Sequence, residues 1–107
     1  MGATLSEPAQ YVVTDEYIAG FFDGEGGVNL RPMEICFGQK DRTVLEYIRD
    51  RYPAGKFYAL GTRTGTFWDL KYHGRNAADL VRAILPRTIE KRAALNEYVF
   101  HLERRGW

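Results

Sequence analysis

Glu25 directly follows two glycines that lie four residues apart, in the stretch Ile18-Ala19-Gly20-Phe21-Phe22-Asp23-Gly24-Glu25-Gly26. On a helix, Gly20 and Gly24 share one face, and each costs about 1 kcal/mol against alanine. Stacked glycines let another backbone approach closely, and if the partner is the same helix from a second copy, the two pack about a two-fold axis. Their C-terminal ends then converge. Glu25 sits at that end, where the helix carbonyl dipoles oppose a carboxylate and a symmetry mate brings a second one. A divalent cation removes the conflict, because hard Mg2+ takes carboxylate and carbonyl oxygens and is often completed by the phosphate oxygens of a substrate. Paired acids at a helix crossing therefore point to metal-assisted phosphodiester chemistry. Taken alone, the same residues also read as an ordinary glycine-terminated helix with an acid at its end.

The elements that would position Glu25 follow from capping and periodicity. A helix begins near Thr14, whose hydroxyl can cap it, with Asp15 and Glu16 set against the positive end of the dipole. Its body is 17–24, and Gly26 and Gly27 end it. Residues 28–30 and 33–39 around Arg31-Pro32 read as a tight hairpin. Asp41 caps the next helix over 42–52, where Val44, Leu45, Ile48 and Tyr52 recur at helical spacing until Pro53 and Gly55. A second hairpin pairs 56–60 with 66–73 around a turn at 61–65, with Trp68, Leu70 and Tyr72 on one face and Phe67, Asp69, Lys71 and His73 on the other. Asn76 opens a further helix with Asp79 completing a capping-box-like pair, Pro86 interrupts it, and a last helix spans 88–105.

The 107 residues, 45% hydrophobic and 27% charged, suit one compact domain and exclude a multidomain enzyme. We expect a lead-in over 1–13 and a single domain over 14–107. No run approaches the roughly 20 apolar residues of a membrane span, which argues for a soluble chain with no membrane partner. The single cysteine, Cys36, cannot form an intrachain disulfide, so an intracellular, reducing compartment is expected. The net charge of +1 hides an asymmetry: residues 1–26 hold five acids and no Lys or Arg, and the remainder has 15 bases against nine acids. That split allows a basic surface beside an acidic site.

The nine residues from Ile18 to Gly26 resemble the motif of the LAGLIDADG homing endonucleases, with Ile18 first, Ala19-Gly20 second and third, Asp23 sixth, Glu25 eighth and Gly26 ninth. The resemblance extends from Tyr17 to about Val99. Ile35-Cys36-Phe37-Gly38-Gln39-Lys40-Asp41 looks like the family's strand-to-helix junction, Gly55-Lys56-Phe57-Tyr58 like its third strand, and 86–92 like its proline-then-lysine helix start. It implies an α+β fold: an αββαββα core with an additional C-terminal helix and an antiparallel, saddle-shaped sheet. It also implies a Mg2+-dependent site-specific DNA endonuclease of the kind that mobilises introns or inteins. Glu25 would bind the metal with the Gly24 carbonyl as a further ligand, Gln39 would orient the nucleophilic water, and Lys91 would stabilise charge developing at the phosphate. On their own, Lys91 reads as a solvated helix charge and Gln39 equally as a cap.

One motif copy implies half a site. Single-motif members resemble homodimers joined at the motif helices, here through Ala19, Gly20, Asp23 and Gly24, that straddle double-stranded DNA with a pseudo-palindromic site. Strand alternation nominates Asn29, Arg31, Glu34, Cys36, Lys56, Tyr58, Asp69 and Lys71 as outward, DNA-reading positions, and Arg63 at a hairpin tip as a phosphate contact. Each is also compatible with an ordinary solvated strand face. Both hairpins are shorter than the family pattern, and the helices that usually follow the last core helix are reduced to 103–107. The alternative is a non-cleaving module of the same fold, a DNA-binding regulator or an RNA maturase; a plain dimerisation domain would show no salt-dependent DNA binding. His73 and His101 show no metal-ligand spacing and read as surface or packing residues.

Overall fold

The computed structural model describes residues 13–107; the expected lead-in therefore lies almost entirely outside the described residues. Helix α1 spans Asp15–Glu25, and the Thr14 hydroxyl accepts the Tyr17 N–H at 3.1 Å, the cap expected from the sequence. Strands β1 (Gly26–Leu30) and β2 (Met33–Gln39) form the first hairpin around Arg31 and Pro32. Helix α2 spans Arg42–Arg51, with Asp41 accepting the Thr43 N–H at 2.9 Å. Strands β3 (Lys56–Thr62) and β4 (Gly65–His73) form the second hairpin. A 3-10 turn at Gly74–Ala77 leads into α3 (Ala78–Ile84), and another at Leu85–Arg87 precedes α4 (Arg92–Arg104).

The four strands make one antiparallel sheet in the order β1-β2-β4-β3. Its inner face carries Ile35, Phe37, Leu70 and Tyr72, all fully buried with Ile18 and Phe22 of α1, Leu45 and Ile48 of α2, Leu80, Val81 and Ile84 of α3, and Leu95, Tyr98 and Leu102 of α4. This is the expected α+β core with its extra C-terminal helix. Among the described residues, the helices leave the other face of the sheet bare, and the two-residue period sends alternate side chains out onto it. Asp15 also ties α1 to α2: it takes the Arg51 Nε–H at 2.8 Å and the Tyr52 hydroxyl at 2.6 Å.

Four boundaries differ from expectation. The glycine pair at 26 and 27 ends α1 but belongs to β1, since Gly26 pairs with Phe37. The second hairpin closes tightly at Arg63-Thr64, with the Thr62 hydroxyl donating to the Gly65 carbonyl at 2.7 Å and Gly65 at φ +131°. Asn76 lies within a 3-10 turn, and α3 starts at Ala78 without a side-chain cap, so the Asn76–Asp79 capping pair does not form. Finally, α4 starts at Arg92, not at 88, for a reason that bears on the site.

Candidate active site and the bare sheet face

The last turn of α1 is held against the approach to α4 by Asp23. Its carboxylate accepts the backbone N–H of Ile89 at 2.7 Å and of Lys91 at 3.0 Å, fixing residues 88–91 as a turn and delaying the helix. Burial works against this carboxylate, but the N–H groups of Ile89, Lys91 and Glu90 outweigh it and hold its pKa below the ordinary aspartate value. The turn delivers Lys91 onto the C-terminal carbonyls of α1: its ammonium donates to the Asp23 carbonyl at 2.8 Å and to the Phe22 carbonyl at 3.3 Å. A cation there complements the negative end of the helix dipole.

Glu25 is the next group along. It is exposed and has no hydrogen-bond or ion-pair partner among the described residues. The end of α1 thus carries an unpaired carboxylate, and the same helix end receives the Lys91 ammonium on the carbonyls of Phe22 and Asp23, with no contact between the two side chains among the described residues. Gly20 and Gly24 are exposed on α1, and a Cβ built on either meets nothing within 4 Å, so the chain's own packing does not require glycine at these positions. Tyr17, 53% exposed, lies on the same face.

Two residues assigned to the interface between copies are placed differently. Ala19 is fully buried in the chain's own core, because it faces inward with Ile18 and Phe22. Asp23 uses both carboxylate oxygens within the chain. Gln39 lies at the end of β2, two residues past the Phe37 that pairs with Gly26, and so beyond the end of β1. Its Oε1 accepts the Lys40 N–H at 3.1 Å, and it lines a cavity of about 670 Å³ between α1 and α2 with Tyr17, Phe21, Val44 and Tyr47. No contact joins Gln39 to Glu25 or Lys91 among the described residues.

On the bare face, register aligns Asn29, Glu34 and His73 in one row, and Cys36, Lys71 and Lys56 in the next. Asp69 stands opposite Tyr58. Glu34 is far less open than an outward strand residue would be, at 8% exposed. Asn29 Nδ2 donates to its Oε2 at 3.3 Å, Lys71 Nζ lies 3.7 Å away, and His73 Nε2 lies 3.3 Å from Oε1. Cys36 is half-buried, and burial followed by the charges of Asp69 and Glu34 pushes its thiol pKa up, so it is a poor nucleophile. Arg31 and Arg63 are exposed at the two hairpin turns. His73, read from the sequence as surface or packing, is a member of the Glu34 cluster; its place beside Asp69 and Lys71 on the alternating face was the available signal.

Among solved structures, the homing endonuclease I-TnaI superposes with a TM-score of 0.66 at 19% identity, covering 90% of this chain and 77% of that one. I-CvuI, in complex with the I-CreI target in the presence of 2 mM Mg with the DNA not cleaved, superposes at 0.63 and 17% identity, over 77% of this chain and 60% of that one. The fold is that of the homing endonucleases. The archaeal intron-encoded homing endonuclease I-Vdi141I, complexed with DNA, gives 0.62 at 18% identity over 78% and 63% of the two chains. A curated relative, a probable intron-encoded DNA endonuclease of Mycosarcoma maydis, is 29% identical over 100 residues. That match takes in 84% of this chain but 35% of the relative, so the chain spans about a third of the relative's length. No protein-family model matches. The LAGLIDADG resemblance of Ile18–Gly26 thus agrees with the homing-endonuclease fold around it. Within that fold, α1 carries the motif, the bare sheet face carries the outward residues, and no helix among the described residues is long and apolar enough to cross a membrane.

Proposed function

We infer that two copies of this chain pair through the open face of α1, lay their bare sheet faces along double-stranded DNA with a pseudo-palindromic site, and hydrolyse one phosphodiester on each strand with Mg2+ or another divalent cation. The observation that supports this reading is the Lys91 ammonium held on the Phe22 and Asp23 carbonyls at the helix end that also carries the unpaired Glu25, in a helix whose glycine face no described residue covers.

The donor chemistry fits a hard cation only when shared. Among the described residues no three His, Cys, Asp or Glu side chains cluster, so one copy supplies the Glu25 carboxylate and the neighbouring Gly24 carbonyl and no more. Two copies supply two carboxylates, and Mg2+ characteristically combines one or two carboxylates with waters and substrate phosphates. When bound, the cation would polarise the phosphate and lower the pKa of an attacking water. Lys91, with two of its three N–H bonds already directed at α1 carbonyls, has a donor left to face a phosphate oxygen and offset the charge that grows there. Gln39 would use its amide, whose Oε1 already holds the Lys40 N–H, to orient water near the end of β2.

Glu25→Gln is the test. The variant should keep salt-dependent binding to a randomised duplex library and lose Mg2+-dependent cleavage entirely. Persistent cutting by a clean preparation of the variant would remove Glu25 from the reaction, whereas binding without cleavage by the unaltered chain would favour the regulator or maturase reading.

A further inference from the structure

The bare sheet face is polar at its centre and turns apolar toward the second hairpin. Two large apolar side chains stand open there, Tyr58 at 44% and Leu60 at 60% exposed. Both belong to β3, whose alternation sends Phe57 to the helix side, under Arg42, and sends Lys56, Tyr58 and Leu60 to the bare side. The Tyr58 ring is already engaged: the His73 ring stands edge-on to it with centroids 6.4 Å apart, and the Lys71 ammonium lies 5.3 Å from its centre. Leu60 is paired across the ladder with Phe67 of β4, which places the two side chains together on the same face.

Phe67 owes its seat to a missing side chain. A Cβ built on Gly38, in the adjoining strand β2, would lie 2.8 Å from Phe67 Cε1 and 3.0 Å from Asp69 Oδ1, so the ring fills space that any other residue at position 38 would claim. Phe67 is thereby half-buried over the β2 backbone, and Leu60 remains beside it as the open half of an apolar pair.

Cations bracket this pair. Lys56 and Lys71 stand opposite each other at one end of the hairpin, about 14 Å from the Leu60–Phe67 row at about 3.4 Å per residue. At the other end Arg63 is exposed in the turn, and Lys40 Nζ donates to Thr64 Oγ1 at 3.4 Å. Apolar surface framed by positive charge complements the major groove of duplex DNA, about 12 Å wide between its phosphate backbones. The floor of that groove offers one apolar group, the C5 methyl of thymine.

We propose that Leu60, backed by Phe67, reads a thymine methyl and so sets one base in each half-site. The inference rests on the reading of the bare sheet face as the DNA-facing one. Arg63 and the flanking lysines position the duplex through its phosphates and carry no sequence information, whereas the Leu60 contact distinguishes bases without adding charge.

Uracil tests this, because it keeps every hydrogen-bonding group of thymine and lacks only the methyl. Duplexes are selected from a randomised library in EDTA, which keeps them intact, and each thymine of the selected site is then replaced in turn by deoxyuridine. At one symmetric pair of positions, losing one methyl should weaken binding by about fourfold and losing both by about 15-fold. Leu60→Ala should bind the thymine site about as weakly as the unaltered chain binds the doubly replaced one, and should not respond to the replacement. Leu60 is open to solvent, so an unchanged circular dichroism spectrum is expected of the variant. Equal binding of thymine and uracil duplexes at every position would overturn the proposal, as would a methyl preference that survives intact in Leu60→Ala. Preference for single-stranded RNA over every duplex would overturn it in favour of base stacking on Phe67. Absence of any selective binding would overturn the DNA-facing assignment of the sheet, and this inference with it.

Discussion

Gly20→Ala separates what α1 does inside one chain from what it does between two. Gly20 sits in the middle of α1 at an ordinary helical φ, and a Cβ built there meets nothing within 4 Å. Alanine should therefore recover the full helix-propensity difference, stabilising the isolated chain by about 0.8–1 kcal/mol and raising its Tm by about 4 °C for a domain of this size. Between two copies the sign reverses. If the helices pack backbone to backbone, each copy adds a methyl to a filled contact; at about 1 kcal/mol or more per added methyl, association weakens by roughly 2 kcal/mol, or about 30-fold. Thermal melting at a concentration where the chain is monomeric, with sedimentation equilibrium across a concentration series, measures both numbers. A rise in Tm with unchanged association would refute the pairing of copies through this face. A fall in Tm would refute the reading of an open glycine face.

Other substitutions probe the junctions around the same site. Gly26→Ala should do the opposite of Gly20→Ala, because its Cβ would overlap the Phe22 ring; a loss of about 1–3 kcal/mol in urea unfolding is expected. Asp23→Asn weakens the tie to residues 89–91, with a cost of about 0.5–2 kcal/mol by analogy with helix caps. The Asp23 pKa is depressed on folding, so its contribution is present above the ordinary value of 3.8 and fades as pH falls through the lower folded value. Acid titrations of stability should therefore lose part of their slope between 3.8 and that lower value in Asp23→Asn. Tyr52→Phe removes a hydrogen bond to a carboxylate at 2.6 Å and should cost about 1.5–3 kcal/mol in chemical denaturation, with a near-native circular dichroism spectrum.

Signals that act over two or three residues were readable in the sequence. Thr14 and Asp41 cap the helices they precede because each bonds an N–H within the next turn, and the alternation through β4 separates Leu70 and Tyr72 from Asp69 and Lys71 whatever the neighbouring strands do. The features that escaped depend on distant partners. Nothing near position 88 announces a turn, because the acceptor that creates it, Asp23, lies 66 residues earlier than Ile89. Ala19 looked available to a second copy, yet the core claims it once α1 is rotated to bury Ile18 and Phe22. Glu34 looked like an open strand position until register set His73 opposite it. In the candidate site, Lys91 reaches the carbonyls at the end of α1 only through the turn that Asp23 holds 66 residues away in sequence, and no contact joins Glu25, Lys91 and Gln39 to one another among the described residues.

The arginines of α2 have a consequence for how tightly any polyanion could be held. Arg42 stacks over the rings of Phe57 and Trp68 at 4.2 and 4.5 Å, and Arg49 over Phe57 at 4.8 Å, all on the helix side of the sheet. Arg51 and Arg87 are paired with acids, and Arg92 with backbone carbonyls. Of the 15 cationic residues, the bare face and its hairpin tips offer chiefly Arg31, Lys56, Arg63 and Lys71. On the proposed reading, two copies would present about eight such cations, and at about −0.9 per phosphate neutralised log K would fall with log[salt] with a slope of roughly −7. A dimer of the proposed kind would owe much of its hold to ionic contacts that carry no sequence information, so selectivity would fall to base edges and duplex shape, and non-cognate duplexes would be shed as ionic strength rises.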